Sequence, residues 1–423
     1  MIYLVSKNQS LFEETLYKII SLEEAIAKLK NLQYISADTE TSGLDCHSKK
    51  LLTVQLGNPE IQIVFDISSW DYQIPDILKQ FLNEFKGTFI LQNAKFDLQF
   101  FYVQNIILQN IYDTMLAEYI LTLGLQEDGR DLKTIVKKYC NEDLDKSVRG
   151  KIITQGLSPE VIVYGARDVE FLEPVMLKQK KAIEFSHMNG ALQIDNEFVK
   201  CLAYIEYCGI KLDWEKWKKN SQNNIQNVLD AKTALNQWLY DNGYREFIGS
   251  ANLFTGGLES TINWDSPLQV IPLFEKIGID CTIKIKGETK KTVEEKALKF
   301  QISKFPILKL YFNYKALQKV VSTYGLKWES MINPVTGRIH TTYRQIMNTG
   351  RLSSGDKNRN SPNLQNLPND SFTRSCFIAE PGNKFMSADY SAQESIVLAN
   401  FANDESLINF YRKGLTDKMC VHL

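Results

Sequence analysis

Short apolar runs separated by turn-forming residues fill the first ~185 positions, and this pattern predicts an α/β unit. Leu32–Ala37, Leu51–Leu56 and Ile61–Ile67 read as strands, with turns at Ser42-Gly43 and Gly57-Asn58-Pro59, and Thr88–Gln92 reads as a fourth strand. Helical spacing covers Asp97–Val103 and Asp113–Leu123. A further helix starts after Ser158, which caps it, with Pro159 in the first turn. From His187 to Tyr324 the pattern turns helical and richer in Lys, Asn and Gln. Ile194–Cys208 carries apolar residues at helical spacing, and Trp214–Tyr240 reads as a long polar helix. Gly256-Gly257 and Asn263–Pro267 punctuate this region, and Lys284–Lys291 reads as an exposed basic loop. After Asn333-Pro334, a hairpin-like turn at Val335–Arg338 leads into a strand, Ile339–Tyr343. Asn383–Asp389 reads as another strand ending on a carboxylate, followed by an amphipathic helix, Ser391–Ala402. The final run, Asp417–Leu423, reads as a helix interrupted midway.

At 423 residues the chain predicts two to four domains with substantial cores. A composition of 44% hydrophobic and 23% charged residues excludes a disordered or fibrous class. No apolar run approaches the ~20 residues that cross a bilayer, and the first ten residues lack a signal or transit pattern. The seven cysteines lie scattered without Cys-x-x-Cys pairs, as reduced thiols would, so a cytoplasmic protein is expected. A net charge of −1 does not announce a nucleic-acid binder. One local patch suits phosphate contacts, with a merely solvated loop the open alternative: Arg338, Arg344, Arg351, Lys357, Arg359 and Arg374 stand against only Asp356 and Asp370 in that stretch.

Candidate chemistry begins at Asp38-Thr39-Glu40, at the end of the first predicted strand. Alternation puts both carboxylates on one side of that strand. Such a triplet is expected by chance about once in a chain of this size, so its weight comes from context. Asn93-Ala94-Lys95-Phe96-Asp97 sits where a strand passes into a helix, and Tyr164 and Asp168 lie four apart on one helical face. His47 and Cys46 lie close by but receive no role, since a lone loop histidine is usually exposed.

In order and spacing, these motifs resemble the 3′→5′ exonuclease domain of family-A DNA polymerases, an RNase H-like fold. The resemblance continues through Thr349-Gly350-Arg351-Leu352-Ser353-Ser354 and Ser361–Pro368, which are similar to that family's primer–template-binding segment. Ser387–Glu394 is similar to its first catalytic carboxylate motif. By resemblance, Asp38, Glu40, Asp97 and Asp168 hold two Mg²⁺ or Mn²⁺ ions, Tyr164 orients the attacking water, and Leu44 and Asn93 lie near the 3′-terminal nucleotide. Arg351, Asn363, Gln365 and Asn366 contact primer and template, with Arg344 and Arg374 adding phosphate contacts. Asp389 is a metal ligand for nucleotide addition, again with two ions, Tyr390 offers its carbonyl to the second ion, and Glu394 packs on the incoming sugar. Gly355–Ser361 is longer than in many members and reads as a surface loop of little chemical consequence.

The resemblance implies an exonuclease domain over residues 1–186, a helical thumb over 187–330 and the first part of an α+β palm over 331–423. The partners it implies are a DNA primer–template, a single-stranded 3′ end, deoxynucleoside triphosphates, and a second polypeptide bringing fingers and remaining palm. Nothing between Ser395 and Leu423 matches the family's later nucleotide-gripping helix or its His-Asp-Glu turn. The chain is therefore expected to hydrolyse DNA by itself and to synthesise it only when completed. Two rivals stay open: a stand-alone exonuclease, one acting on RNA included, and a non-catalytic DNA-binding subunit. Glu394 and the TGRLSS block weigh against the first, and the full carboxylate set weighs against the second.

Overall fold

The computed structural model describes residues 1–9, 12, 16–122, 129–145, 152–153, 156–251, 258–285 and 288–414. Seven strands form one mixed sheet: β1 (Ile2–Val5), β2 (Lys18–Ile19), β3 (Tyr34–Thr41), β4 (Leu51–Gly57), β5 (Gln62–Asp66), β6 (Thr88–Leu91) and β7 (Asn110–Asp113). Their spatial order is β2-β1-β5-β4-β3-β6-β7. β4 runs antiparallel to β3 and β5, and every other neighbouring pair is parallel.

Alternation along the strands divides the core between the two faces. Ile35, Ala37, Phe65, Phe89 and Leu91 join a cluster with α1 (Leu22–Leu29), α2 (Asp76–Glu84) and α3 (Ala94–Val103). Val64 and Ile90, one residue out of phase, face α4 (Thr114–Leu121), α5 (Leu132–Cys140), α6 (Pro159–Glu170) and α7 (Leu172–Phe185). Ser158 caps α6 as expected, accepting from the Val161 amide, and Pro159 occupies its first turn. Strands β1, β2 and β7 escape the sequence pattern. The last meets the run expected to be helical from Asp113 only at that residue, which ends the strand and caps α4.

α8 (Asn189–Cys208) lays Val199 and Ala203 on the first cluster and so ties the sheet to the helices after it. α9 (Trp214–Asp241), α10 (Pro267–Ile277) and α11 (Ile307–Tyr324) enclose a separate core of Trp264, Phe274 and Tyr311. The Trp264 indole is satisfied by donating to Asn236 Oδ1 at 2.9 Å. The expected basic loop at 284–291 belongs instead to an antiparallel hairpin, Thr282–Ile285 with Glu288–Lys291, whose Lys286-Gly287 tip lies outside the described residues. Gly256-Gly257, Leu123 and the run Asp417–Leu423 lie outside them too.

The strand expected over Ile339–Tyr343 is broken in two. β9 (Arg338–Ile339) pairs with β8 (Ile210–Leu212), while β10 (Tyr343–Arg344) pairs with β11 (Ser353–Ser354). Side-chain bonds cause the break: His340 Nδ1 meets the Glu206 carbonyl at 2.7 Å, and Thr341 donates to the Pro362 carbonyl at 2.6 Å.

Residues Met1–Phe377 form one compact unit and Ile378–Leu423 a second. Within the second, Asn383–Asp389 is not a strand: it has no ladder partner and its side chains are exposed. A sequence that favours extension makes a strand only when a neighbour takes its backbone hydrogen bonds. α12 (Gln393–Phe401) and α13 (Glu405–Arg412) complete this unit's described helices. α12 is not cleanly amphipathic, since Val397, Leu398 and Phe401 are all exposed. No helix among the described residues is long and apolar enough to cross a membrane.

Candidate nuclease site and nucleic-acid interface

β3 passes through Asp38 and Glu40 rather than ending on them, and both side chains project toward the face that α6 covers. α6 lies close to the sheet because Gly165 has no side chain. A Cβ there would stand 2.9 Å from Gln55 Nε2, and Gln55 is the β4 residue opposite Asp38. Flanking this close approach, Tyr164 and Asp168 descend on the β3 acids. Oxygens of Asp38, Glu40 and Asp168 lie within 4.8 Å of one another, the one such cluster of His, Cys, Asp or Glu among the described residues. The Tyr164 phenol is pushed up, first by burial and then by Asp168, Glu40 and Asp38, with a hydrogen bond to Asp168.

Asp97 arrives from the other side of the sheet. Thr39, out of phase with its two neighbours, donates to Asp97 Oδ1 at 2.6 Å. Asp97 therefore lines the same cavity but stands outside the mutual 4.8 Å group. Burial pushes its carboxyl up to about 7, against the Thr39 bond that lowers it, and Asp113 and Glu40 push in the same direction as burial. Asn93 caps α3 in the left-handed region at φ 62°, which asparagine tolerates better than most residues. Holding it there is a residue the sequence pattern did not single out. Asp113, fully buried, accepts from the amides of Asn93 at 3.2 Å, Ala94 at 2.8 Å, Met115 at 2.8 Å and Leu116 at 3.3 Å. It thus fastens the starts of α3 and α4 together. Its only sequence signal was an Asp–Thr pair opening a helical pattern.

The cavity measures about 660 Å³. Leu44, exposed on the loop after β3, and Asn93 line it as expected, with Phe96, Met115, Ile153 and Ile346 adding apolar walls. Two guanidiniums also reach it, Arg130 and Arg359. His47 is half-buried rather than the exposed loop residue anticipated. Cys46 is buried, and His47 stacks on Tyr207 with centroids 5.1 Å apart.

A second cavity, of about 600 Å³, is lined by Arg344, Lys357, Asn363, Tyr324 and Lys327. Asn363 spends its carbonyl locally, accepting from Ser354 Oγ at 2.9 Å and from the amides of Gln365 and Asn366 at 3.0 and 3.2 Å. This leaves its amide NH₂ as the group able to donate outward. Gly355, at φ 98°, leaves open the space where a Cβ would stand 3.0 Å from the Asn363 backbone nitrogen. Arg351, Gln365, Asn366 and Arg374 are exposed on the same unit. In the second unit, Asp389, Tyr390 and Glu394 are exposed, and no carboxylate cluster forms around them among the described residues.

The DNA polymerase family A model matches residues 251–417, and the 3′-5′ exonuclease model matches residues 14–184. Over these two stretches the chain is similar to the family-A DNA polymerases, DNA polymerase I above all. It is 27% identical to DNA polymerase I of Pseudomonas aeruginosa over 419 residues, covering 92% of this chain and 43% of that protein. It is 28% identical to DNA polymerase I of Borreliella burgdorferi over 427 residues, 93% of this chain and 42% of that one. For DNA polymerase I of Aquifex aeolicus the figures are 27% over 419 residues, 93% and 64%. The chain thus spans less than half of the first two relatives. The fold matches the POL domain of Pol1 from M. smegmatis, solved with DNA primer-template and dNTP, at a TM-score of 0.71. That likeness covers 93% of this chain and 64% of the other, at 20% identity. These likenesses agree with the α/β reading of the sheet module and with the family resemblance read from the motifs.

Proposed function

We propose that this chain removes nucleotides from DNA 3′ ends by metal-dependent hydrolysis, and that it forms part of a family-A polymerase for replication or repair. The observation that carries the nuclease reading is the convergence of Asp38, Glu40 and Asp168 beneath Tyr164. Hard carboxylate oxygens in a group suit Mg²⁺ or Mn²⁺ rather than softer metals. Asp38, Glu40 and Asp168 would hold these ions with Asp97 as the fourth donor, and two ions would activate water and steady the leaving oxygen. Tyr164 keeps its proton at working pH and offers its hydroxyl to orient a water molecule. Leu44, Phe96 and Ile346 give the terminal base an apolar wall, and Asn93, at the mouth of α3, offers a polar side chain to the terminal nucleotide. Asp38→Ala should lower hydrolysis of a 3′-labelled oligonucleotide by at least ~10³-fold. Unchanged cleavage would remove the assignment.

For synthesis, we assign primer–template contacts to Arg344, Arg351, Asn363, Gln365, Asn366 and Arg374. Nucleotide addition falls to Asp389, with Tyr390 and Glu394 beside it, in a palm completed by further polypeptide. Two features support this reading: the match to the polymerase family model, and the exposure of Phe385, Met386, Tyr390, Leu398 and Phe401 in a 46-residue unit. The corresponding domain division is 1–186 nuclease, 187–330 thumb and 331–423 palm. Arg351→Ala should weaken primer–template binding about tenfold while sparing hydrolysis of a short single strand. Equal loss in both assays would contradict the division of labour.

A further inference from the structure

We propose that Arg359, in the extended loop Gly355–Ser361, binds the sugar–phosphate backbone of the single strand whose 3′ end occupies the nuclease cavity. The inference rests on the nuclease reading above and adds to it a substrate-binding residue from a distant part of the chain.

A wall of carboxylates repels a polyanion. Metal ions answer for the phosphate being cut, but the phosphates upstream of it need fixed positive charge. Arg130 and Arg359 are the positively charged side chains lining the cavity among the described residues. Arg130 is already engaged through Nη2, which donates to Thr122 at 3.4 Å, and through a guanidinium 5.6 Å from the Tyr119 ring centroid, although its buried Nε has no hydrogen-bond partner among the described residues. Arg359 is exposed, and no ion pair holds it among the described residues.

The loop is built rather than loose. Gly355 N donates to the Thr342 carbonyl at 2.9 Å, and Thr342 N to Ser361 Oγ at 2.7 Å, which closes its base. Asp356 caps the short 3₁₀ turn Lys357–Arg359. Asn360, left-handed at φ 50°, donates to the Ser330 carbonyl at 2.8 Å and pins the far side. Lys357 lines the cavity shared with Arg344 and Asn363, whereas Arg359, two residues on, lines the one shared with Asp38, Glu40 and Asp168. One rigid turn therefore presents a cation to each cavity. The arrangement suits a strand that leaves the primer–template side and enters the nuclease side.

The test compares the full chain with its Arg359→Ala and Arg359→Lys variants on 3′-labelled single strands of ~3 and ~10 nucleotides, across a salt series. Arg359→Ala should raise KM for the longer strand about tenfold, the scale of one charge-assisted contact, and leave kcat and the shorter strand unchanged. The slope of log KM against log salt for the longer strand should flatten by about 0.7, and Arg359→Lys should restore most of it. An active parent with a variant whose KM is unchanged, or shifted equally for both lengths, overturns the inference alone. A parent inert toward both strands overturns the nuclease reading and the inference with it.

Discussion

Asp97 shows how one residue's chemistry depends on the phase of its neighbour. Thr39 is out of step with Asp38 and Glu40, so its hydroxyl meets Asp97 from behind the sheet rather than from within the acid cluster. Buried there without a cation, Asp97 carries a folded-state value of about 7, above its ordinary 3.8. The folded chain thus retains a proton that the unfolded chain has already released between about pH 4 and 7. Stability should fall as pH rises through that window, by up to ~1.4 kcal/mol per pH unit. Asp97→Asn cannot release a proton, and its amide oxygen still accepts from Thr39. Urea unfolding in EDTA at pH 5 and pH 7 should show a smaller drop for Asp97→Asn than for the parent. Asp113 and Asp97 push one another up, so the asparagine also relieves Asp113, and both effects make the variant's drop the smaller one. Equal drops would mean that Asp97 is ionised in the apo protein.

Among the elements, α6 carries the tightest constraint on the site. It brings Tyr164 and Asp168 down only because Gly165 lets it approach Gln55, which is buried. Gly165→Val should cost ~1–3 kcal/mol by overpacking. Raising α6 should also cut nuclease activity more than stability alone accounts for, because both functional side chains ride on it. Activity measured well below the melting transition separates the two effects, and a stable, fully active variant would refute the role given to this contact. α6 itself was legible in the sequence, since a serine cap, a proline in the first turn and i, i+4 spacing are local signals. The central strands were legible for the same reason. The elements that escaped depend on distant partners. β7 is four residues long and became a strand by pairing with β6. Asn383–Asp389 has the composition of a strand but no neighbour to make it one. The Gly355–Ser361 loop looked inert because nothing local connects Arg359 to acids more than 150 residues away in sequence. The three acids that meet were legible as a set, whereas Asp113 was not, since its four hydrogen bonds are visible only once α3 and α4 are packed.

At the scale of the whole first unit, Glu206 near the end of α8 is the joint. Its carboxylate takes Lys95 Nζ at 2.6 Å and Gln99 Nε2 at 2.7 Å from α3, and the Tyr343 amide at 2.5 Å from β10. Its side chain is 4% exposed. Along the same turn lie its own carbonyl, which holds His340, and Tyr207, which stacks on His47. The helix that carries Asp97 and the segment that leads to Arg351 are therefore bonded to the same carboxylate. Glu206→Ala would strip the partner from a largely buried lysine and from a buried backbone amide at once. Loss of one member of such a pair costs far more than the intact pair contributes, because the remaining charge stays desolvated. The expected penalty is ~3–5 kcal/mol in urea unfolding, with Glu206→Gln intermediate because it still accepts from Tyr343. If the joint also sets the spacing between the two cavities, Glu206→Gln should depress hydrolysis of the longer single strand more than that of the shorter one. A loss below ~1 kcal/mol for Glu206→Ala, with both strands cut at the parental rate, would mean that other bonds, such as Tyr119 Oη to the Met347 carbonyl at 2.8 Å and Gln345 Nε2 to Asp195 Oδ1 at 2.9 Å, hold the β10 segment to the sheet module.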